Sequence, residues 1–124
     1  MIPIFSPPTP ETPTKMPDNP GTPVYRAPEQ LRGREIDQRV DIFAFGVTMY
    51  ETLTGQKPFN GDTSREVLLA QKNRDQHFAV PRDLNPSIPE DVERIILKCI
   101  EFDADKRYPH ISYLVAELRK ALYV

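Results

Sequence analysis

Cysteine is almost absent from this chain: Cys99 is the single one among 124 residues, so no disulfide can form within it. Long apolar runs are absent too. The longest, Ile42 to Val47, is far short of the roughly 20 residues that a membrane-spanning helix requires. Charge of one sign is lacking as well. The net charge is -2, and no cluster of Lys and Arg exists of the kind a phosphate backbone demands, which argues against nucleic acid as a partner. The N-terminus shows no basic stretch followed by an apolar one, so no secretory signal is expected. With one cysteine and no membrane segment, the expected location is the cytoplasm. No internal repeat is visible, and no pair of strands is convincing.

Proline, by contrast, is plentiful and uneven. Nine of the 14 prolines lie between Pro3 and Pro28. Proline lacks a backbone donor and has a fixed φ, so residues 1–20 are expected to be neither helix nor central strand. Ser6, Thr9, Thr12 and Thr14 are interleaved with these prolines, and composition alone reads the segment as a disordered tail.

From Ala27 onward the pattern is helical. Pro28 suits a first helical position and Gly33 a stop, which predicts a short helix over Ala27–Arg32. Between Asp41 and Thr54, the residues Ile42, Phe43, Phe45, Val47, Met49, Tyr50 and Leu53 point nearly all round a 3.6-residue period. A helix apolar on every side must be surrounded by protein. Asp37 is its expected start and Gly55 its expected end. Thr63 and Glu66 fit a capping box that opens a helix reaching about Asn73, and Ser87 and Glu90 fit a second box with Pro89 in the first turn. The helix after it carries Val92, Ile95, Ile96, Cys99 and Ile100 as an apolar stripe. The last helix carries Ile111, Leu114, Val115, Leu118 and Leu122 on one face. Lys57 to Thr63 and Gln76 to Pro86 read as loops. The fold class is therefore mainly α, a small domain round a central buried helix.

The run Gly21-Thr22-Pro23-Val24-Tyr25-Arg26-Ala27-Pro28-Glu29 resembles the end of the activation segment in Ser/Thr protein kinases. Three further motifs follow in the family's order. Asp41-Ile42-Phe43-Ala44-Phe45-Gly46 is similar to Asp-x-Trp-Ser-x-Gly. Thr52-Leu53-Thr54-Gly55 leads to Lys57-Pro58-Phe59, like the family's helix end and Pro-Phe. Asp103-Ala104-Asp105-Lys106-Arg107-Tyr108 resembles Asp-Pro-x-x-Arg. The resemblance covers residues 21–124 and implies a partial C-terminal, helical lobe of the kinase fold; Ala-Pro-Glu-Gln-Leu and Gly-Val-Thr-Met-Tyr-Glu look like bacterial members. Phe43, Ala44, Ala104 and Arg26 depart from the usual Trp, Ser, Pro and Met.

What the resemblance implies about residues is specific. Gly21, Thr22 and Pro23 resemble the segment that seats a protein substrate, and Gly-Thr-Pro implies Ser/Thr rather than Tyr specificity. Glu29 and Arg107 resemble the family's long-range ion pair, for which the planar fork of Arg is suited. Asp41 resembles the aspartate that accepts backbone N–H groups from the catalytic loop, though it would also suit a helix start on electrostatic grounds. Met1 stands 28 positions before Glu29, similar to the family's spacing from Asp-Phe-Gly to Ala-Pro-Glu. Residues 1–20 would then be activation loop, with Thr9, Thr12 and Thr14 as candidate phosphosites, since phosphate can order a loop against arginines.

Nothing in the chain matches the Gly-rich loop, the strand lysine, the His-Arg-Asp catalytic loop or the Asp-Phe-Gly metal site. The family's ATP and Mg²⁺ are therefore expected to find no ligands here, and no catalytic residue is assigned. Cys99 on its apolar stripe reads as a buried structural thiol. His77 and His110 have no ligand-spaced partners, so metal binding is not expected. Three readings stay open at this point: a truncated Ser/Thr kinase inactive alone, a module that docks a protein substrate or another kinase lobe through Gly21–Pro23 and the helix from Ser64, and a decayed gene.

Overall fold

A computed structural model describes residues 23–123. Among them there are helices and turns and no strand. A 3₁₀ turn at Pro23–Tyr25 leads into α1 (Pro28–Leu31), α2 (Arg39–Thr54), α3 (Ser64–Lys72), α4 (Arg74–His77), α5 (Pro81–Leu84) and α6 (Glu90–Cys99), then a second 3₁₀ turn at Ala104–Lys106 and α7 (Ile111–Tyr123). The mainly helical expectation holds.

The long helix α2 is the axis of the fold. Asp37 Oδ1 accepts from the Arg39 backbone N–H at 2.8 Å just ahead of its first turn. At the other end Gly55 takes φ +79 and donates to Glu51 O, the left-handed cap that glycine adopts without a Cβ clash. Its residues Ile42, Phe43, Gly46, Val47 and Tyr50 are buried, whereas Phe45, Met49 and Leu53 are only half covered. The helix α6 crosses it at Gly46. A Cβ built there would stand 2.6 Å from Cys99 Cβ and 2.7 Å from Ile100 Cγ2, so only a bare Cα permits this approach. The core spreads from that crossing through Val67, Ile95, Ile100 and Leu114, with a neighbouring cluster of Tyr50, Ile88, Val92 and Ile96.

Three details differ from the sequence reading. The loop expected over Gln76–Pro86 contains the end of α4 and all of α5. Both are single turns fixed by packing: Phe78 stacks on Phe59 with ring centres 5.9 Å apart, and Tyr50 Oη donates to Ala79 O at 2.5 Å. The capping box expected at Ser87 does not form, and the helix opens at Glu90 with Pro89 extended as its N-cap. The Ser87 backbone N–H donates to Asn85 Oδ1, and the same Asn85 donates Nδ2–H to Leu53 O. That tether and the burial of Ile88 keep residues 86–88 in a turn and bend ahead of the helix. Finally, the expected α7 stripe divides. Leu114 is buried and Leu118 half covered, while Ile111, Val115 and Leu122 are exposed. The main neighbour of α7 is α6, and one helix covers only a narrow line of another.

The Thr63 cap forms in altered shape. Thr63 Oγ1 accepts from Glu66 N–H at 3.1 Å, but Glu66 Oε1 accepts from the Asp62 N–H, one residue before the cap.

Candidate functional site

The segment that follows Gly21 and Thr22 is held on three sides, and Arg107 is the first anchor. It enters the core behind the 3₁₀ turn at Ala104–Lys106, with its side chain fully covered. A guanidinium taken out of water must have all of its N–H groups met, and here five hydrogen bonds meet them. Nη1 and Nη2 donate to the two carboxylate oxygens of Glu29 at 2.8 and 2.9 Å. Nε donates to Glu101 O at 2.8 Å, Nη1 to Arg39 O at 3.2 Å and Nη2 to Phe102 O at 3.2 Å. The Phe43 ring lies 4.9 Å below the guanidinium carbon, so the aromatic that stands in for the family's Trp supplies a cation–π face. Burial would raise the pKa of Glu29, but the hydrogen bonds from Arg107, a backbone N–H and the charges of Arg107 and Arg39 together outweigh it and hold the carboxyl below its ordinary range.

Glu29 is the second residue of α1, so this pair clamps α1 to α2 and to the turn before α7. Just ahead of α1, Val24 and Ala27 are buried. Tyr25 Oη donates to Glu51 of α2, and Lys57 Nζ reaches the other oxygen of Glu51 at 3.3 Å. Burial, with Glu51 beside it, pushes the Tyr25 phenol up to about 12. On the remaining side Gln71 of α3, itself buried, donates to Arg26 O at 2.9 Å. The sequence gives Tyr25, Glu51, Lys57 and Gln71 no role of their own. Their separations of 26 and 45 positions leave no local pattern to read.

The structure therefore brings Glu29 and Arg107 together and starts the clamped segment at Pro23, whose carbonyl accepts from Arg26 N–H at 2.9 Å. Gly21, Thr22, Thr9, Thr12 and Thr14, with the whole of residues 1–20, lie outside the described residues. Asp41 stands apart from the clamp. It is exposed in the first turn of α2, and among the described residues its carboxylate makes no hydrogen bond or ion pair. Cys99 is buried, and burial pushes its thiol up to about 12, so it is protonated and shielded at neutral pH. Among the described residues no group of three or more His, Cys, Asp or Glu could hold a metal. No helix there is long and apolar enough to cross a membrane.

Against known proteins, the sequence model of the protein kinase domain matches residues 8–119. The chain belongs to the protein kinase domain family. It is similar to the tyrosine-protein kinase MasK of Myxococcus xanthus, 45% identical over 86 residues, which is 69% of this chain and 13% of that protein. It is also similar to the serine/threonine-protein kinase PrkC of Bacillus subtilis, 36% identical over 97 residues, 78% of this chain and 15% of that protein. The chain thus spans less than a sixth of the relatives it matches. The helical arrangement resembles the twitchin kinase region from C. elegans with a TM-score of 0.64 at 24% identity, over 76% of this chain and 16% of that one; the likeness concerns the fold. The match places the Arg107–Glu29 clamp and the Ala27-Pro28-Glu29 turn inside a kinase's helical lobe. No step is assigned through the family's nucleotide or Mg²⁺.

Proposed function

We propose that this chain is the substrate-side part of the helical lobe of a Ser/Thr protein kinase, supplying the platform on which a protein hydroxyl is presented rather than the groups that hold ATP. The observation that carries it is the fully covered Arg107 with both Nη groups on Glu29. This contact ties the end of an activation segment to the helical core and is of no use to a free surface loop. Catalysis of phosphoryl transfer is largely a matter of positioning and charge neutralisation. A platform fixed by Arg107, Tyr25 and Gln71 serves the first of these. The Gly21-Thr22-Pro23 sequence supports Ser and Thr as acceptors, although the name of MasK points to tyrosine. Thr9, Thr12 and Thr14 would regulate the platform by phosphorylation, and a protein substrate or another kinase lobe would be the partner. The cytoplasm, where ATP and protein substrates meet, is the location this reading implies.

The test has two arms. Calorimetry on the 124-residue chain should show no Mg·ATP binding, and a radiolabel assay no phosphorylation. A chimera in which residues 21–123 replace the matching segment of PrkC should phosphorylate Ser and Thr in a mixed peptide library. Phosphotyrosine as the sole product would overturn the acceptor assignment. Mg·ATP binding by the chain alone would overturn the division of labour.

A further inference from the structure

The three anchors of the platform are not alike. Arg107 takes hold of the Glu29 carboxylate and Glu51 of the Tyr25 hydroxyl, so both grip side chains. Both also lead to α2: Glu51 lies on it, and Arg107 donates to Arg39 O at its start. Gln71 grips backbone instead, with Nε2–H donating to Arg26 O at 2.9 Å. It comes from α3, whose main neighbours are α1 and the first 3₁₀ turn rather than α2.

The carbonyl it meets is one that the local turns do not use. The 3₁₀ turn closes with the Arg26 N–H on Pro23 O at 2.9 Å, and α1 opens with the Gln30 and Leu31 N–H groups on Ala27 O at 3.0 and 3.1 Å. The Arg26 carbonyl is the joint between them, and its tilt sets where the 3₁₀ turn points relative to α1. Gln71 is 2% exposed, four residues after the fully buried Val67, so the two share the inner face of α3. A buried amide costs desolvation unless a hydrogen bond offsets it. An apolar side chain of the same length would fill the space without that cost, so the polar choice is tied to the Arg26 carbonyl.

We propose that Gln71 is a positioning residue for the protein substrate, pinning the Arg26 peptide to α3 so that the platform keeps its substrate-binding orientation. The inference rests on the platform reading above and adds that the platform moves with α3. Without the pin the Arg26 peptide tilts among several orientations, and only a fraction of molecules stays competent. Apparent affinity for the protein substrate falls by that fraction. Nucleotide affinity does not, because the platform does not hold ATP.

The test uses the chimera of residues 21–123 in PrkC, with a peptide drawn from the library and kinetics taken well below the melting temperature. Gln71→Met, of similar length but without a donor, should raise the peptide KM about tenfold, the effect of one lost hydrogen bond. The kcat and the KM for ATP should stay as in the parent chimera. Gln71→His, whose imidazole N–H reaches about as far, should recover most of the loss. A purely structural role would lower the melting temperature of Gln71→Met and leave the peptide KM of the folded enzyme unchanged. An active parent chimera whose peptide KM is unchanged in Gln71→Met therefore overturns this proposal and leaves the platform reading standing. A folded parent chimera that phosphorylates nothing overturns the platform reading, and this proposal with it. In the 124-residue chain the Arg26 carbonyl ¹³C resonance should move upfield in Gln71→Met and return in Gln71→His. A resonance that does not move shows that the bond is not made, and the proposal falls whatever the chimera does.

Discussion

Replacing Arg107 by Ala is the perturbation with the largest expected effect. The side chain is fully covered and its partner Glu29 is 12% exposed, so the pair is buried rather than a surface contact. Truncation removes five hydrogen bonds and leaves behind a carboxylate and the carbonyls of Arg39, Glu101 and Phe102. Breaking a buried pair from one side costs about 3–5 kcal/mol, against a total stability of roughly 5–15 kcal/mol for a domain. The variant should be unfolded in large part, or melt on the order of 20 °C lower. Urea unfolding followed by circular dichroism gives the number from the shift in midpoint at constant slope. Arg107→Lys should recover only part of the loss, since an ammonium cannot bridge both oxygens of Glu29 while meeting three carbonyls. A loss below about 1 kcal/mol in Arg107→Ala, the scale of an exposed pair, would refute the reasoning.

The same clamp sets an acid limit. The pKa of Glu29 is lowered from 4.5 in the fold, so its contribution is present above pH 4.5 and is lost as pH falls through the folded value; a urea midpoint unchanged as pH is lowered below 4.5 would contradict this. At the alkaline end the Tyr25 phenol stands at about 12 in the fold against 10.0 unfolded, so its contribution holds below pH 10 and fades as pH rises through 12. Tyr25→Phe should shrink that alkaline loss, measured as the difference in urea midpoint between the two pH values. Gly46→Ala should destabilise by about 1–3 kcal/mol through overpacking against Cys99 and Ile100, despite the better helix propensity of Ala; a more stable variant in thermal melts would show that α6 can step away from α2.

Local chemistry was sufficient to place most helices. The glycines at 33 and 55 end α1 and α2 because φ is +68 and +79 there, a choice made within a few residues of sequence. Thr63 opens α3 and the apolar stripe of α6 is buried as its 3.6-residue spacing requires. The motif order from Ala27-Pro28-Glu29 to Arg107 carried the family and, through it, the expectation that two charges 78 positions apart belong together. What the tertiary structure alone decided has no local cause. The end of α4 and all of α5 lie where the sequence reads as loop, since these turns exist through Phe78 and Tyr50 packing rather than through propensity. Helix α6 begins at Glu90 because Asn85 is tied to Leu53 O and Ile88 is buried, which overrides an adequate cap at Ser87. Three of the five residues of the α7 stripe face solvent because a periodic pattern states which residues share a face, not how wide a neighbour covers it. Tyr25 meets Glu51, and Gln71 meets Arg26, across 26 and 45 positions. Such pairings depend on how α2 and α3 are set against the activation-segment end, and packing, not sequence neighbourhood, determines that.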